Sequence, residues 1–350
     1  MAATIADVAA RAGVSTATVS RVLAGLGGAR ADTRERVLAA ARELGYRPSG
    51  VARSLKLRTT RTLGLIVTDI ENPFFPELVR AVEDAAREGG YAILLCNAAD
   101  DPDREMAYLN LLVDRRVDGV VVAASSLGVR HGEWLAAAPL PIVLVNCAPA
   151  GTGLPSIASD NRSGGRLAAE HLLGLGHRRL GVLTAPARNV DGPDRLEGVR
   201  DAVRAALGGI AAEPIPVTIG EARVSGGERA MCDLLATAPD ATAVVAYNDL
   251  MAIGAIRAIR AAGRRVPEDV SVIGFDDVDL AAYVDPPLTT IAQATAEMGR
   301  WAVARLADAL AARGDGNGHA PESPRVSAAD RLLLPVALVV RGSTAPPPRS

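Results

Sequence analysis

The chain has 350 residues, 49% of them hydrophobic and 22% charged, which is enough apolar material for one or more ordinary cores and excludes a disordered chain. Its length suits two or three domains, and no apolar stretch approaches the roughly 18–20 residues of a membrane-crossing helix, so no membrane partner is expected. The net charge of −2 hides an asymmetry: residues 1–60 hold ten cations against four anions, a local +6, which leaves −8 on the other 290 residues.

A basic head on an acidic body points to a polyanionic partner for the head, nucleic acid or an acidic surface. The three cysteines, Cys96, Cys147 and Cys232, are too far apart for a zinc pair and too few for a disulfide framework. They predict a reduced chain with no metal and no cofactor. The start, Met-Ala-Ala-Thr-Ile-Ala-Asp, has an acid at position 7 and no apolar run behind a cationic segment, so a cytoplasmic location is expected.

Thr4 precedes the periodic apolar set Ile5, Val8, Ala9 and Ala12, with Asp7 three residues on, the pattern of a capping box; Gly13 ends that helix. Ser15 caps a second segment over 16–23, in which Val19, Val22 and Leu23 share one face while Thr16, Ala17 and Arg21 point elsewhere. Two short helices joined by a tight glycine turn make a helix-turn-helix. Thr33 opens a third helix through Val37, Leu38, Ala41 and Leu44, stopped by Gly45. Such a unit fits a plain three-helix bundle as well as a DNA reader; the local charge favours the reader.

The text T-I-A-D-V-A-A-R-A-G-V-S-T-A-T-V-S-R-V-L, then T-R-E-R-V-L-A-A-A-R-E-L-G-Y-R-P, then V-A-R-S-L-K, closely resembles the N-terminal signature of the LacI/GalR family of bacterial transcription regulators. The resemblance implies that the second helix enters the major groove with Thr16, Ala17 and Arg21 at base-contacting positions. Thr4, Ser15, Thr18 and Ser20 complete the DNA-contacting set expected of the head. The Arg21 fork matches guanine O6 and N7, a pair worth about 1–3 kcal/mol of discrimination, and Ala17 offers a methyl to thymine. The plainer alternative for Arg21 is a phosphate contact. Residues 48–56 resemble the family's hinge helix. Ser49 is placed to cap it, Leu55 to wedge a central base step in the minor groove, and Arg53 and Lys56 to lie against the DNA. Otherwise this stretch is a solvated linker with Leu55 packed on the body. Gly50 inside it costs about 0.5–1 kcal/mol relative to Ala.

From Thr62 the chain alternates apolar runs with helical segments: TLGLIVTD, a helix over 75–88, YAILLCNA, a helix over 104–114, GVVVAAS and IVLVNC. The cycle resumes with the helical RSGGRLAAEHLL, RLGVLTAP, a helix over 196–207, AVVAYND, a helix over 250–262, and VSVIGFDD. Such runs imply an α/β body with two doubly wound parallel units, each with a crevice beyond the carboxyl ends of its strands. The resemblance continues here and implies the two-lobed, periplasmic-binding-protein-like effector domain of the same family. The boundaries expected are a head over 1–48, a hinge over 49–61 and a body over 62–342. Lobe one is about 62–160 plus 294–324, and lobe two about 161–290 plus 325–342. Crossings fall near Asp160, 290–293 and 324–330; residues 311–329 form a mobile loop and 343–350 a disordered tail.

The strand ends place Asp69, Phe74, Phe75, Arg195, Asn248, Asp276 and Gln293 toward the cleft, with Asp160 serving either the ligand or the hinge. Donors, acceptors and aromatic faces suit a polyhydroxylated or heterocyclic ligand. The Asn146-Cys147 pair stands where many sugar-responsive relatives have Asp-Arg, and the spacing from Arg188 to Arg195 differs by one residue from some. Cys147 reads as a buried thiol. No H-E-x-x-H, C-x-x-C, G-x-S-x-G or P-loop occurs, and His131, His171, His177 and His319 are scattered, so no enzyme is expected. The reading is a homodimeric repressor, a tetramer left open, that binds palindromic operator DNA and is switched by a small molecule, a sugar or related metabolite. A solute-binding protein or a small-molecule enzyme on the same fold is the alternative.

Overall fold

The computed structural model describes residues 3–25, 28–46, 59–124, 132, 134–135, 137–147, 152–187, 189–208, 214–314 and 331–348. The chain divides into two compact units, 1–61 and 62–350.

In the first unit, α1 (Ile5–Ala12), α2 (Thr16–Leu23) and α3 (Ala31–Glu43) close around Val8, Val19 and Val37, each fully buried. The ends are set by local chemistry. Thr4 Oγ1 accepts from the Asp7 amide while the Asp7 carboxylate accepts from the Thr4 amide at 2.8 Å, so two orphan donors are satisfied reciprocally. Gly13 takes φ 64°, which lets the chain turn within two residues into the Ser15 cap of α2. The third helix begins earlier than expected. Arg30 holds its N-cap position without a side-chain bond, and Asp32 in the first turn accepts from the Thr33 amide at 2.8 Å, so Thr33 lies inside the helix.

The second unit has two lobes. Lobe one is a parallel six-stranded sheet in the order β11-β5-β4-β3-β1-β2, formed by β1 (Thr62–Val67), β2 (Ala92–Asn97), β3 (Gly119–Ala123), β4 (Ile142–Val145), β5 (Ser156–Ser159) and β11 (Arg331–Leu334). Its central strands are buried on both faces, covered by α4 (Phe74–Glu88), α5 (Pro102–Asp114) and the long α10 (Thr295–Gly314). Lobe two has the parallel order β7-β6-β8-β9, from β6 (Leu180–Thr184), β7 (Val217–Ile219), β8 (Ala243–Ala246) and β9 (Ser271–Ile273). Beside it β10 (Thr290–Ala292) pairs antiparallel with β12 (Ala337–Val339). Its helices are α6 (Asn161–Gly174), α7 (Gly192–Leu207), α8 (Val224–Thr237) and α9 (Asp249–Ala261). α6 and α7 meet backbone to backbone: a Cβ on Gly165 would sit 1.9 Å from the Arg195 carbonyl oxygen, and one on Gly198 1.9 Å from that of Arg162. Only glycine permits that approach.

Three boundaries differ from those expected. Residues 331–334, expected in lobe two, pair with β5 in lobe one, and the third crossing falls at 335–336 instead of 324–330. Pro335 has no amide hydrogen to continue a ladder, so the expected single closing strand becomes two strands in different lobes. The expected disordered tail is instead held to lobe two through residue 345. Ser343 is fully buried, its carbonyl accepts from the Val272 amide, and the Ala345 carbonyl accepts from His177 Nε2 at 2.8 Å. The expected loop at 311–329 begins inside α10, and 315–329 lie outside the described residues.

Candidate functional site

On the first unit, α2 presents Thr16, Ala17 and Arg21 to solvent, Ala17 and Arg21 one turn apart on the same face. Among the described residues no ion pair engages Arg21. Thr4 and Ser15 are exposed but hold helix caps, Ser15 Oγ accepting from the Thr18 amide and lying 3.0 Å from Thr18 Oγ1. Thr18 and Ser20 are half-buried. The hinge positions Ser49, Arg53, Leu55 and Lys56 lie outside the described residues.

In the second unit the carboxyl ends of both sheets face one cleft that is open to solvent. Asp69, Phe74, Phe75, Arg195, Asn248, Asp276 and Gln293 all line it. Phe74 and Phe75 are both buried and meet edge to face at 5.2 Å, so neither is a rim residue alone. Asp160 is elsewhere: at the first crossing its carboxylate caps α6, accepting from the Ser163 amide at 2.9 Å, and its amide donates to the Leu334 carbonyl. It lies at the crossing, outside the cleft lining. Cys147, also outside the lining, is buried with Sγ 3.8 Å from the Val122 carbonyl.

The backbone at the cleft is unusual where the strands end. Ala124, Asn146, Asp276 and Asp277 follow β3, β4 and β9 with φ of 52°, 51°, 117° and 56°. Such conformations cost non-glycine residues of order 1–3 kcal/mol each and persist where surrounding contacts impose them. Here they turn Asn146 and Asp276 toward a single amide. Gln293, on the crossing after β10, donates to Asp276 Oδ1 at 2.6 Å, and its carbonyl accepts from Asn146 Nδ2 at 3.2 Å and Ser159 Oγ at 2.7 Å. One side chain on a crossing thus ties lobe one to lobe two.

Arg195, 7% exposed, is fixed on all sides. It donates to Asn161 Oδ1 at 2.9 Å, to the Tyr247 carbonyl at 2.6 Å and to Asp191 at 2.6 Å, and its guanidinium lies over the Phe275 ring at 3.7 Å. The Tyr247 hydroxyl donates to the other Asp191 oxygen at 2.6 Å. Burial pushes the Asp276 carboxyl up to about 7, outweighing the pull of Arg195, 3.9 Å away. Behind it Asp249 is fully buried and its carboxyl is pushed well up by burial and by Asp276. It accepts from Thr290 Oγ1 and the Val278 amide, fastening the loop that carries Asp276 to the crossing that carries Gln293. Asn248 caps α9 through the Met251 amide and donates to the Ala222 carbonyl.

Thr68, Asn72, Asp100, Asn189, Asp191, Arg223 and Tyr247, none of them expected from the sequence, also line the cleft. Asp191 and Tyr247 had a signal: one lies four residues before Arg195 at the start of α7, the other directly follows β8. Arg223 lies between strands in a stretch with no apolar pattern to place it. Among the described residues no group of three or more His, Cys, Asp or Glu is placed to hold a metal ion, and no helix is long and apolar enough to cross a membrane.

The pattern of bacterial regulatory proteins of the lacI family matches residues 4–49, and that of a periplasmic binding protein-like domain matches 169–344. The HTH-type transcriptional repressor PurR of Mannheimia succiniciproducens is 40% identical over 310 residues, 88% of this chain and 92% of that protein. The HTH-type transcriptional repressor CytR of Escherichia coli is 36% identical over 343 residues, 98% of this chain and 96% of that one. Among solved structures, the lac repressor dimer bound to operator and the anti-inducer ONPF aligns with a TM-score of 0.85 at 29% identity, over 99% of this chain and 100% of that one. The CelR–cellobiose complex aligns with a TM-score of 0.70 at 34% identity, over 97% and 99%.

Proposed function

The chain belongs to the lacI family of bacterial regulatory proteins, and from that premise we propose a DNA-binding transcriptional repressor that reads a two-fold operator as a homodimer and is switched by a small molecule in the cleft. The observation that carries this reading is the pairing, in one chain, of a helix-turn-helix whose second helix exposes Thr16, Ala17 and Arg21 with a separate body whose strand ends converge on one polar and aromatic cleft.

In this reading Arg21 contacts a guanine edge, Ala17 meets a methyl group, and the caps at Thr4 and Ser15 present backbone and hydroxyl groups to phosphates. Ser49, Arg53, Leu55 and Lys56 serve the hinge as the family resemblance implies. Two-fold symmetry of protein and site makes the dimer the natural unit. An edge strand with exposed apolar side chains suits it: Leu94 and Leu95 on β2 are 38% and 41% exposed.

The cleft ligand is a molecule rich in hydroxyl or N–H donors. The carboxyl groups of Asp69, Asp191 and Asp276 line the site as acceptors for such groups, while Phe74 and Phe75 supply aromatic surface for an apolar face. A sugar fits this description, and the bound cellobiose of the CelR complex supports it. Because Gln293 and the other crossings join the lobes, a ligand that changes their separation biases two states of the body and hence operator affinity. Arg195, Asn161, Tyr247 and Asp191 satisfy one another, which suits binding and orientation better than turnover.

Footprinting of the purified full-length protein on fragments of its genome tests the reading. The expected result is protection of sites with two symmetric half-sites; binding that is uniform across fragments and disappears with salt would refute sequence-specific repression.

A further inference from the structure

We propose that Arg223 is the latch of the cleft, the side chain that holds the lobes together without a small molecule and that an effector must displace to reach Asp69. The inference rests on the cleft being the effector site, as argued above.

Arg223 belongs to lobe two, at the N-cap position of α8, with extended backbone and no capping bond from its side chain. Its guanidinium crosses the cleft to lobe one, one prong 2.9 Å from Asp69 Oδ2 and the other 3.4 Å from Glu71 Oε2. The second Asp69 oxygen accepts from the Glu71 amide, so neither oxygen is without a donor. Arg223 therefore occupies the position that a ligand hydroxyl or N–H would take at this carboxylate. Its own segment is anchored, because the Ala222 carbonyl accepts from Asn248 and the Arg223 carbonyl accepts from the Gly227 amide. The partners differ in burial: the Asp69 side chain is 12% exposed, those of Arg223 and Glu71 47% and 74%.

That asymmetry gives the pair the character of a catch. The buried carboxylate needs a donor, and the half-exposed guanidinium can leave for water at little cost, since exposed ion pairs contribute only modestly and weaken with salt. Gln293 joins the lobes through a crossing of the chain, whereas Arg223 joins them only through side chains across the mouth. A ligand that brings its own donor to Asp69 releases this contact and leaves the crossings intact.

The test uses full-length protein with one dye on Cys232, exposed on α8, and the other on Glu88→Cys, exposed at the end of α4; Cys96 and Cys147 are buried. Doubly labelled protomers are mixed into excess unlabelled protein, and single-molecule transfer efficiency reports lobe separation. The wild type should open progressively with added NaCl. Arg223→Ala should already be about two- to fivefold more open at low salt, with little further response, the size expected of a half-exposed ion pair. Arg223→Lys should lie between them. Millimolar guanidinium should restore closure to Arg223→Ala where equal NaCl does not, an effect that a general loss of packing would not produce. Identical distributions in wild type and Arg223→Ala, or no response to guanidinium, would overturn the latch. Footprinting of the same samples separates the two readings: an intact wild-type footprint with unchanged lobe distances removes the latch alone, and no specific footprint removes the functional reading beneath it.

Discussion

The head and the cleft solve opposite problems with similar residues. On the head, Arg21 and its neighbours stand in solvent above a core of small side chains, and their counter-charges arrive with the partner. In the cleft, Arg195 is 7% exposed and surrounded by Asp191, Asn161, Tyr247 and Phe275, so its needs are met before any ligand arrives. An exposed reader loses one contact when one side chain is removed. A buried network loses its geometry, because each deletion strands the groups left behind.

The contrast predicts a graded set of effects. Arg195→Ala should be the most damaging, since it leaves the part-buried Asp191 without its cation; a loss of about 3–5 kcal/mol in chemical denaturation of the body is expected. A wild-type midpoint would show the network to be dispensable. Gly165→Ala should follow at about 1–3 kcal/mol, because the new methyl collides with the Arg195 carbonyl oxygen, and it should displace the guanidinium from the cleft as well. Equilibrium unfolding gives the first number and effector titration the second.

Asp276 extends the contrast to pH. Burial raises its carboxyl to about 7, so the folded chain keeps this proton to higher pH than the unfolded chain does. Its contribution to stability is full below the unfolded value of about 4 and is lost as pH rises toward 7. Wild type should therefore lose stability relative to Asp276→Asn between those limits and run parallel to it above them; parallel curves throughout would contradict a buried, raised carboxyl. The smallest effect belongs to the head: Thr4→Ala breaks one capping box and should cost about 1 kcal/mol in thermal unfolding, with no change in the body.

The head was legible nearly residue by residue, because its signals are local. Thr4 with Asp7, Gly13 and Ser15 each act on the backbone within a few positions. The cleft was legible where a polar residue follows an apolar strand within two or three positions, as Asp69, Asn248 and Asp276 do. Asp160 sits at a strand end too, yet at a crossing, where capping α6 is the nearer use of a carboxylate. β5 was missed because Ser156 and Ser159 interrupt its apolar run, and β11 was assigned to the wrong lobe because strand pairing across 175 residues leaves no local mark. Arg223 was invisible for the same reason: its partners, Asp69 and Glu71, lie in the other lobe.

The central claim, that this chain represses by reading sequence through α2, is tested most directly by titrating wild type and Arg21→Ala against the footprinted operator and against variants with each base pair changed in turn. The account predicts a loss of about 1–3 kcal/mol on the cognate site and a flattened preference at one symmetric position in each half-site. Equal weakening on every sequence, with a reduced salt dependence, would show Arg21 to be a phosphate contact and would contradict the reading.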